Sequence, residues 1–485
     1  MTIGKLLAAP AAATALLTAP VFAQAPQPAA ATGAEGSEAR IAALQAQMEA
    51  LQAQLDALKK QMTVVTPSWK GAPEFSGEGG FKFRVRGFAQ FDAGYVDTPG
   101  ATRAGTVGGL NYNNLGWNTR GRRFVFGAEG TVPGGFGYKA EFNFAQGSVG
   151  YEDVVLTYQP DGSPLLVTVG NFFPLSSLES MTSSRVGSVL ERAAVTDAFN
   201  YNRRLGVSVG LVDPKDRYTL TAGLFSQEID DDGQARTGWQ ASVRGTWSPA
   251  LGDTRLHLGA NFQHRVNPKD AQNARYRSRP FTQLTDQRFV DTGAIAAKGD
   301  DVVGIELAAI HGPFHFAGEA QKLWVDGHRP GALFGPNNGV AGATFYAGNP
   351  SFETAYGEIG FFLTGESRGY KGGRWERAKV LKPFDKGGIG AIQINGRIDY
   401  LNLKDRVATG PLIVAPDYVN GGRQTGYQLS LIWNPIDYVR LMAQYAHSEI
   451  DGGPRAATVK PGSTGPANDR GYSFDSLAMR AQVEF

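Results

Sequence analysis

Three arginines alternate at Arg275, Arg277 and Arg279, and Arg288 follows them in the same stretch. On an extended segment this spacing puts three guanidiniums on one side. A guanidinium is a planar fork of donors that stays charged, and it grips oxyanions through paired, charge-assisted hydrogen bonds. From Arg265 to Asp300 seven basic residues face four acidic ones, and from Arg368 to Lys386 seven face two. The second run fits a solvated loop as well as a functional one. Arg185 and Arg192 lie in an unusual stretch, Gly170 to Arg204, while Arg84, Arg86 and Arg123 lie in segments of alternating polarity. The candidate anion-contacting residues are therefore Arg84, Arg86, Arg123, Arg185, Arg192, Arg275, Arg277, Arg279 and Arg288.

Other chemistries find little to work with. The histidines are His257, His264, His311, His315, His328 and His447, and no carboxylate or cysteine completes a metal set around His311 and His315. The chain has no cysteine at all, which removes disulfide frameworks and thiolate sites. Gly-x-Ser-x-Gly is absent too. No catalytic residue, metal or cofactor is expected, and 47 basic against 45 acidic residues leave no global nucleic-acid footprint.

The elements that must hold the arginines are strands. Phe81, Phe83, Val85, Ala89, Phe91, Ala93 and Tyr95 share one face, with Lys82, Arg84, Arg86, Gln90 and Asp92 on the other. The pattern returns along the chain and predicts sixteen strands, at 81–95, 121–131, 136–146, 151–159, 165–171, 204–212, 217–228, 236–247, 254–265, 302–311, 314–325, 352–365, 388–403, 424–434, 437–449 and 473–485. Membrane strands of about 9 to 11 residues have this form; alternation by itself leaves open which face points inward. Gly170 to Arg204 interrupts the series. It is too long for a hairpin turn and too apolar for a solvated loop, and Ser176 to Glu179 and Ser188 to Glu191 could each open a short helix by a capping box. The expectation is an ordered loop folded inside a barrel.

Ahead of the strands, Lys5, the apolar run Leu6 to Phe22 and the small-residue site Val21-Phe22-Ala23 read as a signal peptide over residues 1–23. Residues 24–40 read as a linker. Ile41, Leu44, Met48, Leu51, Leu55, Leu58 and Met62 then follow a heptad seam, predicting a helix over 41–62 that is roughly 33 Å long. A self-associating coil, trimeric by preference, and a helix packed on its own chain are both open. Residues 63–80 read as a second linker.

The signal peptide, the alternation of short turns with long polar loops, and a last strand ending on Phe485 select a membrane barrel over a soluble one. The expected fold is all-β, a sixteen-stranded antiparallel transmembrane β-barrel over residues 81–485 with an N-terminal coiled-coil helix. Its inserted loops fall near 171–203 and 266–301. Such a chain sits in the outer membrane of a Gram-negative bacterium, against its lipid.

Several pieces in order resemble the phosphate-selective porin O and P family. They are Gly170-Asn171-Phe172, Leu190-Glu191-Arg192, Arg204-Leu205-Gly206-Val207, His257-Leu258-Gly259-Ala260-Asn261, Arg275-Tyr276-Arg277-Ser278-Arg279-Pro280, Val290-Asp291-Thr292-Gly293 and Arg397-Ile398-Asp399-Tyr400-Leu401. The resemblance implies a homotrimer of sixteen-stranded barrels, two loops folded into each lumen, and an arginine ladder leading small inorganic anions to a constriction. It also implies that Phe485 is read by the barrel assembly machinery. Family members place a Lys in the constriction loop where this sequence has only Arg185 between Gly170 and Leu190. The resulting expectation is passive diffusion of anions, phosphate or polyphosphate leading. A non-selective porin and an envelope tether built on the coil are the alternatives.

Overall fold

The computed structural model describes residues 34–61, 67–69, 71–99, 115–227, 229, 238–269, 271–328, 342–407, 416–462 and 469–485. The expected signal peptide and residues 24–33 lie outside the described residues. The chain divides into two units, residues 1–64 and 65–485. The first holds a helix over Ala34–Gln61, so residues 34–40 are helical and not linker. The last proline before the helix is Pro28, and Ala34 to Arg40 contains good helix formers. Ile41, Leu44, Met48, Leu51 and Leu55 are each more than half exposed, leaving the apolar seam open along the helix. Met62 and the side chain of Leu58 lie outside the description.

The second unit is a closed antiparallel barrel of sixteen strands. They are β1 Lys82–Val96, β2 Gly116–Val132, β3 Phe136–Asn143, β4 Gly150–Tyr158, β5 Leu165–Phe172, β6 Arg204–Val212, β7 Tyr218–Ser226 and β8 Trp239–Trp247. The remainder are β9 Thr254–Val266, β10 Ile295–His311, β11 Phe314–Gly327, β12 Ser351–Phe362, β13 Ala391–Arg406, β14 Tyr418–Ile436, β15 Val439–Asp451 and β16 Gly471–Glu484. All sixteen expected strands are present, with ends shifted by a few residues. The largest shift is at β10, which takes residues 295–301 from the expected loop into the wall. Two short strands, Ser68–Trp69 and Pro73–Ser76, occupy part of the expected second linker and extend the sheet beside β1.

Closure joins the two ends of the barrel chain. Arg480 stands opposite Asp92 and Glu484 opposite Phe88, and Phe485 exchanges backbone hydrogen bonds with Gly87 at 2.9 and 3.0 Å. Along β16 Leu477, Met479 and Val483 are exposed while Arg480, Gln482 and Glu484 are buried. A water-soluble barrel would expose the second set. Here the apolar face is outside, where it meets hydrocarbon, and the polar face lines the lumen. His311 and His315 accordingly face opposite sides of the wall, His311 exposed and bonded to Thr254, His315 buried.

The wall is uneven. Strands β3 to β8 have eight or nine residues each, whereas β9 to β16 have twelve to nineteen. Behind the tall side, three segments fold inward: residues 173–203, 267–294 and 363–390. Leu178, Phe199 and Tyr201 of the first pack with Tyr276, Phe281, Phe289 and Val290 of the second and with Trp375 of the third. Inward wall residues Val302, Leu323, Phe352, Leu401 and Val419 complete this apolar core. Gly426 of β14 makes room for it: a Cβ there would lie 2.0 Å from the Phe281 ring. Two inserted loops are implied by the family resemblance; the third, 363–390, corrects that count. Its charge run masks a buried anchor, Arg368, Tyr370 and Trp375, whose aromatic rings pack edge to face at 6.0 Å.

Within residues 173–203 the cap differs from expectation as well. The short helix Leu178–Met181 is capped by Ser177, whose hydroxyl accepts from Ser180 N at 3.2 Å; Ser176 is one residue too early. Ser188 to Glu191 forms no helix because the wall takes its backbone groups. Asn395 and Ser430 donate to Ser188 O, Gln444 accepts from Leu190 N at 2.8 Å, and Arg480 donates to Leu190 O.

Candidate anion path

Beside the packed core a cavity of about 730 Å³ remains open between β1 to β4, the 173–203 loop and parts of the other two inward segments. Eleven basic side chains and eight acidic ones line it. Of the nine candidate residues it gathers Arg84, Arg86, Arg123, Arg185, Arg192 and Arg279. The other three, Arg275, Arg277 and Arg288, line a separate cavity of about 440 Å³ with Arg455.

Most of the charge in the larger cavity is internally matched. Arg86 pairs with Glu141 at 2.8 Å and with Glu129, Lys139 bridges Glu141 and Asp153 at 2.7 and 2.6 Å, and Arg203 holds Asp153 and Glu152. Arg84 lies 3.8 Å from Glu129. Arg279 shares Asp197 and Asp286 at 3.5 and 3.3 Å.

Arg123 and Arg192 differ, since neither forms an ion pair among the described residues. Arg123 donates to Gln90 at 3.1 Å. Arg192 donates to Thr182 O at 2.7 Å, its guanidinium lies 5.1 Å from the centre of the Phe173 ring, and its buried Nε has no partner. Arg203 lies 4.4 Å from the same ring. Arg185 is loosely held, its Nε donating to Ser183 at 3.1 Å and its Nη1 lying 3.6 Å from Glu484. Burial, and then the neighbouring Arg203 and Arg86, push Arg192 and Arg185 below the ordinary guanidinium range. At the outer cavity, burial together with Arg279 and Arg277 brings Arg288 down to about 10 against the pull of Asp197. Where cations outnumber the carboxylates beside them, an entering anion relieves the repulsion, although Arg288 keeps Asp197 as a partner at 3.5 Å.

Arg122 is a residue that strict alternation misses. A bulge between Gln90 and Phe91 lets both Arg122 and Arg123 point inward. Arg122 then holds Glu191 through two bonds of 2.8 and 2.9 Å, fastening the loop to β2. On the tall wall, Arg397, Arg440 and Arg480 point inward as the alternation predicts, but their charge is spent on anchoring. Arg397 grips Glu358 and Glu179, Arg440 donates to Arg185 O and Gly187 O, and Arg480 binds Asp92, Glu191 and Leu190 O.

Glu191 supplies a pH test. Burial pushes its carboxyl up, but Arg122 and Arg480 outweigh burial and hold it well below the ordinary carboxylate range. A depressed folded pKa gives stabilisation that is present above the unfolded value of about 4.5 and lost as pH falls through the folded one. The stability difference between wild type and Glu191→Gln is therefore expected to stay constant from pH 8 to 5 and to shrink only in stronger acid. A difference that vanishes between pH 7 and 6 would contradict the lock.

A family model described as phosphate-selective porin O and P matches residues 104–485. The chain belongs to that family. It is thus an outer-membrane porin, a channel and not an enzyme. An uncharacterized protein of Caulobacter vibrioides is 34% identical to this porin over 429 residues, covering 86% of this chain and 77% of the relative. Porin O of Pseudomonas aeruginosa is 26% identical over 361 residues, 68% of this chain and 76% of the relative. Among solved structures, the outer membrane channel DcaP of Acinetobacter baumannii aligns with a TM-score of 0.45 at 12% identity, over 85% of this chain and 99% of its own. An anion-selective porin from Comamonas acidovorans aligns at 0.46 and 12% identity, over 84% and 100%.

Proposed function

We propose that this porin passes small inorganic anions by diffusion, with phosphate or polyphosphate as the preferred solutes, along the cavity bounded by the 173–203 loop. The observation that carries the reading is the pair Arg123 and Arg192, uncompensated guanidiniums in a cavity whose other charges are largely matched. Arg185, Ser183 and Ser184 line the same cavity and add donors suited to a tetrahedral oxyanion. Arg277 and Arg288 collect anions at the outer cavity and Arg279 hands them inward, while Arg275, bound to Asp291 at 2.8 and 2.6 Å, mainly shapes its loop. Phosphate titrated into a KCl-bathed bilayer is expected to block the current in a saturable way, with block weakened several-fold by Arg185→Gln. Current indifferent to phosphate would leave only a general anion or non-selective porin.

The working unit of this reading is a trimer. Eight or nine residues at about 3.3 Å each, tilted by about 40°, raise the β3 to β8 wall only roughly 20 to 23 Å, less than the apolar band of about 25 Å. Neighbouring copies would cover that low wall, and the open heptad seam of the Ala34–Gln61 helix would join three chains as a coiled coil. Export by the signal peptide and recognition of Phe485 by the barrel assembly machinery complete the route to the outer membrane. Native mass analysis is expected to give a trimer, and one that dissociates at lower detergent load when residues 34–61 are deleted; a monomer throughout would reject it. If the deletion instead loosens envelope attachment, the coil is a tether as well.

A further inference from the structure

Under the constriction loop lies a second, much smaller cavity of about 20 Å³, space for one water-sized particle. Arg368 of the inward-folded 363–390 segment and Arg440 of β15 both line it, and both are more than nine-tenths buried, at 6% and 8% exposure. Their terminal nitrogens hold three successive carbonyls of the loop: Arg440 donates to Arg185 O at 3.2 Å and to Gly187 O, and Arg368 donates to Val186 O. The Nε of each is left without a partner. Neither guanidinium has a carboxylate within ion-pair distance among the described residues. The carboxylates that reach the cavity are engaged elsewhere: Glu484 with Arg377 and Arg185, Glu376 with Arg374 at 3.6 Å, and Asp437 with Val380 N at 3.0 Å.

Two buried like charges that line a one-atom cavity without an ion-pair partner are unfavourable unless something negative shares it. We propose that a single halide ion, chloride under ordinary conditions, occupies this cavity between Arg368 and Arg440 as a fixed structural ligand. Its size excludes phosphate, so it holds a fixed ion and not the transported solute, although Arg185, Val186, Glu376, Arg377 and Glu484 line both cavities. The halide would offset the repulsion between the two guanidiniums and so keep them available to clamp residues 185–187.

The experiment is diffraction from the full-length porin crystallised in sodium bromide, read at the bromine absorption edge. A bromide peak in this cavity, between the Arg368 and Arg440 side chains, is expected; a water or an empty cavity there at high bromide would overturn the proposal. In solution, the melting temperature of the porin at constant ionic strength should rise with the logarithm of chloride concentration as gluconate is replaced, and Arg368→Gln should flatten that dependence. A wild-type porin indifferent to chloride also overturns it. Should Arg368→Gln fail to fold, the bromide and wild-type melting arms still decide. Ion selectivity enters neither arm, so failure of the transport reading would show separately.

Discussion

Replacing Arg480 with alanine is expected to raise single-channel conductance several-fold and to destabilise the barrel by about 3 to 5 kcal/mol. Arg480 is 2% exposed and stands at the seam where the last strand closes on the first. It forms two bonds of 2.7 Å to Asp92, one of 2.6 Å to Glu191, and one to Leu190 O of the constriction loop. Truncation leaves Asp92 buried and unpaired, and removes one of the two arginines that neutralise Glu191. The loop then keeps Arg122 of β2 as a partner but loses one of its anchors on the tall wall. Chemical unfolding and bilayer recordings of the same preparation separate the two effects. Unchanged conductance with lowered stability would mean that the remaining clamps, Arg397 and Arg440, are sufficient to hold the loop.

The double substitution Arg123→Glu with Arg192→Glu is expected to turn an anion-preferring channel into a cation-preferring one. The larger cavity has eleven basic against eight acidic side chains, so exchanging two cations for two anions reverses the sign of the balance. The change falls on the two guanidiniums that no carboxylate screens, whereas Arg86 or Arg203 would be replaced at the cost of breaking existing pairs. Reversal of Arg275, already neutralised by Asp291 on an exposed loop, is expected to alter preference far less. Equal effects from the two sets would place selectivity at the mouth instead of the constriction.

Much of the barrel is legible in the sequence because a lipid-facing wall enforces period two over long stretches, as in β1 and β16. The inward fold of residues 173–203 is legible for a related reason, since Gly170 to Arg204 is too long and too apolar for a turn. Three features escape. A bulge opposite Gln90 adds Arg122 to the lumen, and a single inserted residue has no signature in polarity. The 363–390 segment looks like a solvated basic loop because its anchors, among them Glu366, Arg368, Trp375 and Val380, are scattered among charged residues and have no period. Alternation also places Arg397, Arg440 and Arg480 in the lumen without telling a charge offered to solute from one consumed by Glu358, by loop carbonyls or by Asp92. Periodicity reports which side of the wall a residue is on; what it touches there depends on contacts more than a hundred residues apart, such as Arg480 with Asp92 or Glu319 with Glu179 N.

Those long-range pairings are what convert a nearly neutral set of inward charges into an uneven one. Carboxylates and guanidiniums of β1 to β4 mostly cancel, the tall wall commits its arginines to the loop, and Arg123 and Arg192 are left as uncancelled positive points beside the opening. The measurement that bears most directly on this is the reversal potential of the wild-type porin in a planar bilayer under a KCl gradient. The account predicts a potential displaced toward the chloride equilibrium value, reduced when Arg123 and Arg192 are both neutralised. A potential near zero, or one displaced toward potassium, would contradict it.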